Sequence, residues 1–190
     1  MNKGSVTEGD TDFFNSYVKG KKILMIAPGH SAVKEQDKIK KFISSNSVCS
    51  LSVNFDYDIV KTNFVFVSNF RRYNSLNGVD PDRLIITSNI QAEKFLLKLD
   101  HKKLLNDIEP VSDNAGLMAV KFFLDFGVDK VYLAGFDGYN VNVSGNYLNS
   151  DMDIVKCENN YSELNSGMKE FIGRYGDKIE FITDSVYLKR

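Results

Sequence analysis

Polar side chains able to read a ligand follow short apolar runs at six places in this chain: Pro28-Gly29-His30-Ser31, Asn54, Ser68-Asn69, Ser88-Asn89, Gly135-Phe136-Asp137 and Asp184-Ser185. Amides, hydroxyls and carboxylates of this kind exchange hydrogen bonds with the hydroxyls and ring nitrogens of a polar ligand. Gly29 allows close approach to the backbone, and the amides of a helix starting there can hold a phosphate. The turn is neither GxGxxG nor a GKS/GKT loop, so classical NAD binding and ATPase chemistry lose support. Ser31 reads equally well as a plain helix cap. Arg71-Arg72, just beyond Asn69, could clamp a phosphate or carboxylate; a solvated loop explains them as well. Asp113-Asn114 open an apolar helix whose first residues, Ala115 and Gly116, are small enough to let a ligand press on backbone amides, although either polar residue could simply be its cap. His30 and Asp137 are the candidates for general acid or base chemistry. Tyr139, Tyr147 and Tyr161 could contact a phosphate or stack a base. Asp137 with Asp184 could hold Mg²⁺, the least favoured reading, because neither belongs to a dense acidic cluster.

These residues need rigid elements behind them. The apolar runs are 22–27, 48–53, 64–67, 84–86, 131–134 and 179–182. They are nearly continuous in apolar residues, as in strands covered by helices on both faces of a parallel sheet. Helical spacing is expected from about Lys34 to Asn46, from Ala115 to Phe126 with Gly127 closing it, and from Ser162 to Tyr175. The fold expected is α/β: a Rossmann-like, mostly parallel sheet of about six strands with helices on both faces. In such a sheet the strand ends share one edge, and ligands bind there, near the switch in strand order. Residues 1–20 read as a polar linker or tail, with Phe13, Phe14 and Tyr17 packing as a short helix the alternative; 21–190 read as one domain. Residues 140–158, polar and rich in Asn and Gly, read as a long loop or lid beside the site.

Composition narrows the function. The 190 residues suit one domain, and a net charge of −1 argues against general nucleic-acid binding. No apolar run is long enough for a membrane span, and the start is not a secretory signal. Cys49 and Cys157 read as thiols, not a disulfide. With His30 and His101 the only histidines, a multi-histidine metal site is not expected; no metal or cofactor is assigned. A cytoplasmic location follows as an expectation.

Several strings together resemble known families. ILMIAPGHS (23–31), SVN (52–54), FVSN (66–69) and a block ending in KVYLAGFD (130–137) resemble the bacterial Rossmann-like sialyltransferases that use CMP-sialic acid. That resemblance implies that Gly29, Ser31, Asn54 and Asn69 line the nucleotide, and that Asn114, Ala115 and Gly116 lie near its sugar or phosphate. It implies no base, because the segment where that family carries a histidine reads Cys157-Glu158-Asn159-Asn160-Tyr161-Ser162. The strings APGHS, SVNF, SNFRRY, TSN, DNAGLM and LAGFDGY look closer to the C-terminal domain fused to HMG-CoA-lyase-like aldolases of bacterial surface-polysaccharide clusters. The expected function is therefore binding of a nucleotide or CMP-sugar-like nucleotide-sugar in polysaccharide biosynthesis, with glycosyl transfer if the site is active. The alternative is a non-catalytic accessory domain that docks on an aldolase or on a second copy of itself.

Overall fold

The computed structural model describes residues 4–141, 146–148, 152 and 157–188, with the backbone alone for 157–159. The sheet has eight strands: β1 (Val6–Gly9), β2 (Lys22–Ile26), β3 (Val48–Val53), β4 (Phe64–Val67), β5 (Leu84–Thr87), β6 (Leu97–Leu99), β7 (Val131–Ala134) and β8 (Ile179–Phe181). Their order is β1-β6-β5-β4-β3-β2-β7-β8, and every neighbouring pair is parallel except β1–β6. The chain builds outward from β2 to β6, then returns to place β7 on the other side of β2. That reversal is the switch point of a Rossmann-like α/β fold.

Continuity of apolar residues has the anticipated cause. Along β2, Ile23 and Met25 enter one core while Leu24 and Ile26 enter another across the sheet. All four are fully buried. The first core is covered by α1 (Thr11–Val18), α6 (Ala115–Asp125) and α7 (Cys157–Tyr175). The opposite face carries α2 (Ser31–Lys34), α3 (Gln36–Ser45) and α4 (Phe70–Ser75). A short α5 (His101–Leu104) follows β6. Between β3 and β4 the cover is not a helix but a loop whose Tyr57 is buried and donates its hydroxyl to Ala32 O at 2.7 Å.

Helix α6 begins where Asn114 Oδ1 accepts from Leu117 N. It ends in a Schellman arrangement: Gly127, at φ 98°, donates to Leu124 O and Val128 donates to Phe123 O.

Three expectations need correction. The sheet has eight strands, not about six: β1 and β6 are added, the one mostly polar and the other only three residues long. Residues 6–18 are not a linker: β1 pairs with β6, Asp10 caps α1, and Phe14 is fully buried, which agrees with the short-helix alternative. The helix expected from Lys34 is broken at Glu35, at φ −115° and ψ 27°, into α2 and α3. Among the described residues no helix is long and apolar enough to cross a membrane.

Cys49 tests how well β3 is covered. Burial pushes its thiol up to about 12, and the thiolate is the reactive form. Iodoacetamide at pH 8 should therefore label Cys49 only after urea unfolding, with peptide mapping separating it from Cys157. Rapid labelling of the native chain at Cys49 would show β3 to be uncovered.

Candidate functional site

The carboxyl ends of the strands open into one cleft of about 850 Å³ that reaches from the β2 turn to the end of β6. That is within the usual range for a small-molecule site. Most of the polar strand ends meet there, each braced as well as exposed. Asn54 stands at φ 62°, a left-handed conformation that a short amide tolerates better than most residues. Its backbone N–H donates to Phe66 O at 2.8 Å and its Oδ1 accepts from Ser68 N at 3.3 Å, joining the ends of β3 and β4. Asn69 caps α4, its Oδ1 accepting from Arg71 N at 2.9 Å. Asn89 donates to Ser68 O at 3.0 Å. Asn54, Ser68, Asn69 and Asn89 all line the cleft, so these residues both brace strand ends and face the open space.

Arg71 and Arg72 also line it, and Arg72 donates through Nη2 to Met152 O. Across the cleft lie Asp113, Asn114, Ala115 and Gly116. Asn114 uses both ends of its amide, Oδ1 in the cap and Nδ2 donating to Tyr139 Oη at 3.0 Å. A Cβ on Gly116 would sit 2.6 Å from the Phe136 ring, so packing requires this glycine.

The turn after β2 is built differently from expectation. Gly29 lines the cleft, but a Cβ there would lie 2.3 Å from Gly135 O and 2.7 Å from Asp137 Cγ. Its smallness serves the contact between two turns. Ser31 is buried and turns away from the cleft toward Asp137, and it does not cap α2; His30 precedes that helix without a side-chain bond. His30 is exposed and does not line the cleft. The histidine that does is His101, its backbone N–H received by Ser88 Oγ at 3.1 Å. Ser88 itself is not part of the lining, nor is Tyr161, whereas Tyr139 and Tyr147 are.

Asp137 lines the cleft, but Asp184 does not. Asp184 lies 3.9 Å from Lys38 with its side chain 82% exposed, so the proposed carboxylate pair does not form a cleft metal site. Among the described residues no group of three or more His, Cys, Asp and Glu is placed to hold a metal ion.

Several lining residues were not anticipated. His101 follows β6, the strand missed by its brevity, although Leu97-Lys98-Leu99 followed by Asp100-His101 repeats the pattern of the other strand ends. Glu109 lines the wall in the turn before α6. Asn160 lies at a kink in α7, φ −133° and ψ 20°, and its buried Oδ1 has no hydrogen-bond partner among the described residues. Tyr187 reaches in from the end of the chain and donates to Asn165 Oδ1 at 2.7 Å. The loop expected over 140–158 lies largely outside the described residues. Its described part includes Asn146, whose Oδ1 accepts from Asn140 N at 2.8 Å, and Leu148, whose N–H donates to Pro28 O at 2.8 Å.

The fold and cleft define a Rossmann-like α/β protein with a polar-lined cleft at its switch point. Compared with protein-family models, curated proteins and solved structures, the chain shows no match.

Proposed function

We propose that the cleft binds a nucleotide or nucleotide-sugar, CMP-sugars being the class favoured by the sequence resemblance, with glycosyl transfer its activity if a base is supplied. The observation that carries the reading is the row of amide side chains, Asn54, Asn69 and Asn89, running beside Arg71 and Arg72 along one edge of the sheet. Such a row offers donors and acceptors to a base and sugar, and the guanidiniums offer paired donors to a phosphate.

Charge orients the ligand. Glu109, Asp113 and Asp137 line the side where α6 starts, while the arginines follow β4. An anion at the α6 start would meet like charges that offset the helix-end attraction. The phosphate therefore belongs with Arg71 and Arg72, and of the sugar or phosphate that the resemblance puts beside Asn114–Gly116 this reading keeps the sugar. From the end of β4 to that of β7, three strand spacings away in the sheet order, is about 14 Å. An arginine side chain reaching inward shortens that to the span between a phosphate and a sugar.

A thermal-shift screen of CMP, CDP, UMP, UDP, AMP, GMP and CMP-sugars tests the reading, since a ligand of the folded state raises the melting temperature. A selective cytidine response is expected. Silence across the panel at millimolar ligand would discard the reading and direct the next assay to docking on an aldolase. Arg71→Ala should weaken binding about tenfold, the loss of one charge-assisted hydrogen bond at an exposed site. Melting without ligand should hardly change. Undiminished affinity would remove Arg71 from the site. Asn69→Ala is the poorer probe, because losing the α4 cap costs about 1 kcal/mol of stability by itself.

A further inference from the structure

Resting on that reading of the cleft, we infer that Asp137 is the acceptor that selects the ribose 2′-hydroxyl, with Ser31 and Thr183 as its positioning residues. Ser31 grips both carboxylate oxygens: its N–H donates to Oδ2 at 2.8 Å and its hydroxyl donates to Oδ1. The Ser31 and Thr183 hydroxyls lie 2.8 Å apart. Ser31 has one hydroxyl proton and Asp137 takes it, so Thr183 donates in the second pair. Thr183 Oγ1 in turn accepts from Gly135 N at 3.0 Å. The turn after β2, the turn after β7 and the end of β8 thus converge on one carboxylate. Ser31 and Thr183 are both buried, which shields these bonds from exchange with water.

The grip leaves Asp137 half used. A carboxylate offers about four lone-pair sites, and Ser31 fills one on each oxygen. Among the described contacts one acceptor on each oxygen remains, the two pointing apart, and Asp137 lines the cleft, so the held carboxylate can meet a hydroxyl donor there. An acid at a strand end accepting from ribose hydroxyls is a general solution in doubly wound sheets, here placed at the switch-point strand β7. The glycine at 29 belongs to the same device, because a Cβ there would crowd Asp137, 2.7 Å from its Cγ and 2.8 Å from its Oδ1. Neighbouring Glu109 and Asp113 add further acceptors to this side.

Calorimetry of the full chain with CMP, UMP and GMP, each against its 2′-deoxy counterpart, tests the assignment. Wild type should prefer the ribose form about tenfold, the scale of one hydrogen bond to a charged group. Asp137→Asn should lose that preference, and Ser31→Ala should reduce it. Equal binding of ribose and deoxyribose forms to wild type overturns the assignment while leaving the nucleotide reading intact, and this comparison needs no variant to fold. A ribose preference that survives in folded Asp137→Asn also overturns it. So does selective binding of GMP and its 2′-deoxy form alike, which would have the carboxylate read a guanine edge. Failure of every nucleotide to bind overturns the reading of the site and this assignment with it.

Discussion

Gly135→Val should leave the chain unable to keep its fold at 37 °C. Gly135 stands at φ 72°, where a side chain costs about 1–2 kcal/mol. A Cβ there would also lie 2.0 Å from Ala27 O and 3.1 Å from Ala32 Cβ. The backbone cannot back away cheaply, because hydrogen bonds tie it on each side. Ala27 N donates to Ala134 O at 2.8 Å, Gly29 N to Gly135 O at 3.1 Å, and Gly135 N to Thr183 Oγ1 at 3.0 Å. Strain and lost bonds together should exceed about 4 kcal/mol, a large part of the 5–15 kcal/mol that holds a domain. Gly20→Val is the control: its φ is also 72°, yet nothing lies within 4 Å of its Cβ. Urea unfolding followed by circular dichroism should show a small loss for Gly20→Val and collapse for Gly135→Val. Equal losses would mean that φ alone matters and that the two turns are not in close contact.

Phe14→Ala should cost about 3–5 kcal/mol, as truncation of a buried phenylalanine does. Its ring centroid lies 5.3 Å from Phe64, 5.7 Å from Phe122, 5.8 Å from Phe123 and 5.3 Å from Phe126. It is fully buried, whereas its neighbour Phe13 is 47% exposed. Truncating Phe14 leaves a hole between α1, β4 and α6, with rigid rings around it that close poorly. Phe13→Ala, on the outer side of the same helix, should shift stability by no more than about 0.5 kcal/mol. Urea midpoints of the two variants separate the possibilities. Near-equal midpoints would restore the view of residues 1–20 as a dispensable linker.

These two positions show where reading by pattern stops. Ile23–Ile26 announces a central parallel strand, since residues of both parities are apolar. Asn114 and Gly127 bracket α6 by local rules that need no distant partner. Leu97-Lys98-Leu99 is too short to announce a strand, and Val6-Thr7-Glu8-Gly9 has a single apolar residue. Each becomes a strand only because its partner supplies the hydrogen bonds. Glu35 interrupts a convincing helical pattern where its carboxylate accepts from Asp184 N at 2.9 Å, a residue far along the chain.

Local sequence pattern is enough for the parallel α/β architecture, most strand positions, the major helices and the edge on which polar residues collect. Periodicity, caps and turn residues act over a few neighbours, so one chain segment suffices to express them. Tertiary structure alone decided how each strand-end side chain is used. Ser31 and Asp137 are 106 residues apart, and their pairing turns an expected ligand contact into a brace. His30 points out while His101 enters the cleft, because side-chain direction past a strand end depends on the turn and the packing around it. Gly29 and Gly135 are small because two turns touch, a requirement set only when β7 returns beside β2.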